Sequence, residues 1–201
     1  MPTILFYAVD LADLTSWIGR SDPRALEAVR ATLREDEDAD WEPEELQLLD
    51  RLLSRMVMEG ILYRGLDAEE RYYLTQLLID LFDEFVDSEA VSDDWTLTAV
   101  EEALAPARRD AFASSLADFL LLGRTLGGEE TLWRRGEDLE NLLPYLGYVT
   151  RAELPALEAA LRIGPPERRV PAARRAIATA CRACIESERD LVALVSEGGP
   201  F

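Results

Sequence analysis

The run Thr3-Ile-Leu-Phe-Tyr-Ala-Val9 restricts the fold most, because it is a β-branched and aromatic stretch in a sequence otherwise patterned for helices. A strand carries N–H and C=O groups along both edges that need partners, so it cannot stand alone. The best match lies at the far end of the chain, in Asp190-Leu-Val-Ala-Leu-Val-Ser196, which could otherwise extend the helix before it. We read this tail as the partner strand, since no other segment has comparable β character. The expectation is a mainly α fold: a single helical domain over residues 1–201, with a small β-sheet formed by the N- and C-terminal strands.

Between these ends the sequence supplies helix starts and stops. Asp10 reads as the cap of a short helix through Ile18, ended by Gly19, and Ser21-Asp22-Pro23 gives a cap and first-turn proline for a helix reaching about Arg34. Leu46, Leu49, Leu52, Leu53, Met56 and Val57 recur at three- and four-residue spacing, which predicts a helix burying one stripe. Asp67-Ala-Glu-Glu70 has the form of a capping box opening a helix to about Val86, and Thr98-Ala-Val-Glu101 and Thr150-Arg-Ala-Glu153 repeat the signal. A helical run from about Arg108 to Thr125 stops before Gly127-Gly128, and Pro171 belongs in the first turn of a last helix reaching Ser187.

The charge excludes several chemistries. The chain has 40 Asp and Glu against 21 Arg, with no Lys and no His, a formal net charge of -19. Without Lys there is no Walker-type phosphate lysine and no Schiff base; without His there is no Ser-His or Cys-His pair and no HExxH zinc site. The acids are also unevenly placed. No basic residue occurs between Arg71 and Arg108, a span holding nine acids. Such a field repels nucleic acid and anionic lipid, and favours a basic protein or a metal cation; an acidic proteome would produce the same bias. The opening residues lack the basic n-region of a signal peptide, and apolar runs such as Phe119-Leu-Leu-Leu122 fall far short of the roughly 20 residues of a membrane helix. A soluble, cytoplasmic protein that binds neither membrane nor nucleic acid is expected.

Asp80, Asp83, Glu84 and Asp87 form the sharpest constellation. At helical spacing they fall within about a 100° arc, opposite Leu74, Leu78, Leu81 and Phe82. The plain reading is the wet side of an amphipathic helix. Like charges at these spacings each cost an isolated helix roughly 0.2–0.5 kcal/mol, however, and a Mg²⁺ ion or an Arg- and Lys-rich partner would relieve them. These four are therefore the candidate metal ligands and, with Trp95, the candidate partner-binding residues; no catalytic residue and no cofactor beyond a possible Mg²⁺ is assigned.

Other clusters read as structural. Asp36-x-Asp38-x-Asp40 begins like a calcium loop, but Trp41 stands where glycine is needed and Gln47 where a bidentate glutamate is needed. Asp10 and Asp13 lack the Asp-x-Asp spacing of a phosphatase turn. Cys181-Arg-Ala-Cys184 lies in an Ala-rich helix and reads as buried packing, with redox or dimeric zinc as alternatives. The arginines Arg162, Arg168, Arg169, Arg174, Arg175 and Arg182 are expected to form an ion-pair seam with the chain's own acidic helices. Trp41, Trp95 and Trp133 are each flanked by charge, as helix-end packing or interface anchors would be.

Four segments carry a resemblance: Tyr7-Ala-Val-Asp-Leu11, the acidic break after the second helix, Leu146-Gly-Tyr-Val-Thr-Arg-Ala-Glu-Leu154 and Arg189-Asp-Leu-Val-Ala-Leu194. Together they resemble a loose family of uncharacterised bacterial proteins with a Tyr-x-Val-Asp-Leu opening, a Tyr-Leu-Thr helix start and a terminal Asp-Leu-Val strand. The helix start departs from the pattern, reading Tyr148-Val149-Thr150. The resemblance implies a terminal strand and no activity. The functional expectation is a non-enzymatic acidic interaction protein with a basic partner, such as an immunity-type, toxin-neutralising protein. The alternatives are a Mg²⁺-dependent phosphohydrolase built on the carboxylate cluster and a structural or regulatory subunit without chemistry.

Overall fold

The computed structural model describes residues 2–16, 18–35, 43–60, 63, 65–126, 130–134, 144–162 and 171–196. In chain order the elements are β1 (Thr3–Val9), α1 (Leu11–Thr15), α2 (Pro23–Glu35), α3 (Pro43–Ser54), α4 (Ala68–Phe85), β2 (Ser88–Ala90), β3 (Trp95–Thr96), α5 (Leu97–Leu104), α6 (Ala111–Leu122), β4 (Tyr145–Val149), α7 (Leu154–Arg162), α8 (Ala172–Glu186) and β5 (Asp190–Ser196). They fall into two compact units, one of Met1–Leu11 with Asp87–Phe201, the other of Ala12–Val86. Among the described residues no helix is long and apolar enough to cross a membrane.

The first unit is built on an antiparallel sheet. Its strand order is β2-β1-β5-β4, with β3 also pairing β1. The chain ends pair along their whole length, from Thr3 opposite Ser196 to Val9 opposite Asp190. Neither end is an edge strand, because β2 and β3 flank β1 and β4 flanks β5. The sheet is thus larger than the two-strand one expected from sequence. Every residue of β4 is buried, so it shows no polar alternation by which a strand is recognised.

Gly147 explains how β4 fits against α6. A Cβ there would lie 2.3 Å from the Phe119 carbonyl oxygen and 2.8 Å from that of Leu120, so only glycine allows the two backbones this close. The Tyr145 hydroxyl donates to the carbonyl of Leu121 at 2.7 Å, taking up an acceptor that the end of α6 leaves open, and the Tyr148 hydroxyl donates to that of Thr125, in the segment after α6, at 3.0 Å. Packing of α8 on β1 and of α7 on α8 completes the core, where Ile4, Phe6, Leu116, Leu157, Ile177 and Val195 are all buried.

Capping sets the helix starts. Asp110 accepts from Ala113 N–H at 2.9 Å to open α6. The start expected at Thr98 lies two residues earlier: Thr96 accepts from Ala99 N–H at 3.2 Å, and α5 begins at Leu97. Thr96 is also in β3, so the strand hands directly to the helix.

In the second unit α2 opens at Pro23 with Asp22 accepting from Arg24 N–H at 2.9 Å. Asp67 and Glu70 complete the expected capping box, with reciprocal bonds of 2.9 and 3.2 Å. The apolar stripe of α3 buries Leu49, Leu52 and Leu53, whereas Leu46 is 47% exposed. A π-helical turn, Arg55–Glu59, follows and ends at Gly60 with φ 68°. A Cβ on Gly19 would stand 3.2 Å from Gly60 Cα, and Gly19 N–H donates to Met56 O at 3.0 Å.

Candidate functional site

The expected carboxylate quartet does not share one helix. Helix α4 ends at Phe85 and Val86 is already extended, with φ -109° and ψ 122°, so Asp87 stands beyond the helical turn that would align it with Asp83 and Glu84. Asp87 belongs to the first unit and Asp80, Asp83 and Glu84 to the second; the side chains of these three lie outside what the structure describes. Among the described residues no group of three or more Asp, Glu, Cys or His could hold a metal ion.

Asp87 opens a stretch of exposed acids on the sheet unit. The chain leaves Asp87, forms β2 with all three residues exposed, and passes Asp93 and Asp94 before β3. Asp87, Glu89, Asp93 and Asp94 are exposed, as are Glu101 and Glu102 on α5. Two of the six have a cation beside them: Arg189 Nη2 donates to Asp87 Oδ2 at 3.0 Å, and Arg108 Nη2 to Glu101 Oε1 at 3.0 Å. The second guanidinium nitrogen of Arg189 donates to Ala8 O at 3.4 Å, pinning Asp87 to β1. Asp87 keeps 81% side-chain exposure in this pair, so the bond contributes little to stability and leaves the carboxylate accessible.

Trp95 sits opposite Ile4 in the β3–β1 ladder and is half-buried. Its indole Nε1 is shut away from solvent with no acceptor among the described residues, as is that of the buried Trp133. Packing thus takes up much of Trp95 and nearly all of Trp133. Trp41, with the Asp36–Asp40 loop, lies outside the described residues.

Two buried polar arrangements, at Asp190 and at Arg124, have no signal in the sequence analysis, and the second incorporates the expected Thr150–Glu153 cap. Asp190, only 8% exposed, accepts from Leu11 N–H at 3.0 Å and from Arg151 N–H at 2.7 Å, tying the ends of β1 and β4 to the start of β5. Arg124, 7% exposed, forms a two-point pair with Glu153 and stacks over the rings of Phe119 and Tyr148 at 4.1 and 4.8 Å. The Thr150 N–H and hydroxyl donate to Glu153 at 2.9 and 2.8 Å, the return half of the expected capping signal. Burial raises the Glu153 pKa, but the Arg124 hydrogen bonds, the two from Thr150 and the Arg124 charge outweigh it and hold the carboxyl below its usual range.

In the expected arginine seam, Glu158 on α7 pairs with both Arg162 and Arg182, the latter at 3.5 Å. Arg174 is buried and donates through Nε to Leu161 O at 2.7 Å, closing the C-terminal end of α7. Arg168 and Arg169 lie outside the described residues. Cys181 and Cys184 are free, buried thiols on α8. Burial, helped by neighbouring negative groups, pushes both up to about 12, which suits packing and opposes thiolate chemistry.

The motifs behind the family resemblance therefore hold the sheet unit together: Val9 faces Asp190, Asp190 binds Leu11, and Gly147, Tyr148 and Glu153 fasten β4 and α7. The family described as "Domain of unknown function (DUF7691)" matches residues 1–196, and the chain belongs to it. No curated protein and no solved structure matches the chain.

Proposed function

We propose that this protein is a non-enzymatic, acidic interaction protein whose exposed carboxylates in residues 87–102 meet a basic protein partner. The observation that carries this reading is the exposure of all six acids there, of which Glu89, Asp93, Asp94 and Glu102 have no ion-pair partner among the described residues. Exposed carboxylates close in sequence repel one another, and a field of one sign accelerates encounter with the opposite sign. One form of such a protein is an immunity-type inhibitor, in which carboxylates stand where a cationic toxin or nuclease would bind phosphates. The free thiols support a reducing, cytoplasmic setting.

The test is affinity capture from the source lysate with the wild-type chain and with Glu89→Gln/Asp93→Asn/Asp94→Asn, at low and high salt. The reading expects a basic protein held by the wild type at low salt, released at high salt and lost in the variant. Equal recovery of the same proteins by both chains contradicts it.

A further inference from the structure

The free edge of β2 adds a second kind of recognition to this acidic stretch. In the β1–β2 ladder, Tyr7 faces Ala90, Ala8 faces Glu89 and Val9 faces Ser88. Val91 N–H donates to Phe6 O at 2.8 Å, and Phe6 N–H donates to the Ser92 hydroxyl at 3.3 Å, so the backbone of Phe6 is turned towards the β2 side. Bonded and non-bonded pairs alternate in an antiparallel ladder, which makes Ala8 and Glu89 the next bonded pair and turns the N–H and C=O of Ser88 and Ala90 away from β1. All three β2 residues are exposed, and β2 pairs with no other described strand.

We propose that an extended, Arg- or Lys-rich segment of the partner adds to β2 as a further strand. This rests on the acidic-partner reading and gives its binding mode. The outward backbone groups of Ser88 and Ala90 offer two donors and two acceptors, which fix the direction and register of an incoming chain. Side chains along β2 alternate, so Glu89 projects on one face of the sheet while Ser88 and Ala90 project on the other. Glu89 lies on β2 and Asp93 and Asp94 follow within four residues of its end, all exposed, and this run of negative charge favours a cationic strand and deters a second copy of the same acidic edge.

The test uses the full chain and a terminally blocked, fluorescein-labelled peptide of four Arg-Thr repeats, with anisotropy as the affinity readout and backbone amide exchange as the geometric one. The expected result is salt-sensitive binding, with the Ser88 and Ala90 amides slowed about tenfold at saturation and Glu89 unchanged. Ala90→Pro deletes an outward N–H and spares the β1 ladder, as proline is tolerated on that side of an edge strand. It should weaken binding about tenfold with the melting temperature kept. Binding that survives Ala90→Pro, leaves both amides unprotected and disappears in Glu89→Gln/Asp93→Asn/Asp94→Asn overturns strand addition and leaves the acidic surface standing. No binding to the wild type at low salt overturns both. Amide protection in the wild type decides the matter without any variant.

Discussion

Arg124 and Glu153 meet as a two-point ion pair, Nη1 to Oε2 at 2.7 Å and Nη2 to Oε1 at 3.0 Å, joining the end of α6 to the start of α7. Removing one member of such a pair strands the other. For Glu153→Gln we expect a loss of about 2–4 kcal/mol, below the full value for a wholly buried pair because Glu153 keeps 18% side-chain exposure. Urea unfolding at neutral pH measures it.

The same pair makes stability depend on acid. The Glu153 carboxyl titrates lower in the folded chain than in the unfolded one, so its contribution is complete above the ordinary glutamate range and fades as pH falls through the folded value. Melting temperature followed downward from pH 7 should decline less steeply in acid for Glu153→Gln than for the wild type. Parallel curves would remove Glu153 from the acid response.

Gly147→Ala places a methyl group 2.3 Å from a backbone carbonyl oxygen that cannot swing aside. A cost of about 3 kcal/mol is expected, at the upper end for overpacking, since β4 or α6 must shift as a whole. An unchanged denaturation midpoint would mean that the two elements do not approach as described.

Asp190→Ala leaves the Leu11 and Arg151 amides without their acceptor, whereas Asp190→Asn retains one acceptor oxygen. The alanine variant should lose about 2–4 kcal/mol and the asparagine variant visibly less, as measured by thermal unfolding. Truncation before Asp190 removes the strand between β1 and β4 and should abolish cooperative melting.

Cys181 and Cys184 should resist a water-soluble disulfide reagent at pH 8 in the native chain and react stoichiometrically in denaturant. Both side chains are buried, and burial pushes both thiols up to about 12, far above pH 8. Rapid modification of the folded protein would show that α8 opens readily.

Local signals were readable where one residue type has one physical use. The Asp67–Glu70 box, Pro23 at a helix start and the β-branched ends all appear as the chemistry of caps, first turns and strands requires. The strand Tyr145–Val149 escaped because it is buried throughout, and its glycine answers to a contact with α6 rather than to strand propensity. Asp190 and Arg174 look like ordinary surface charges in sequence. Their partners are backbone groups far along the chain, which residue type does not reveal. Asp87 does not share the helix face of Asp80, Asp83 and Glu84 because α4 ends before it, a boundary that helical spacing alone cannot fix.

The acidic-surface account is tested most directly by carboxylate footprinting of the chain, alone and with its captured basic partner, read out residue by residue. It expects Glu89, Asp93 and Asp94 to become protected from modification in the complex and to recover in high salt. Protection confined to carboxylates outside residues 87–102, with those three still fully reactive, would contradict it.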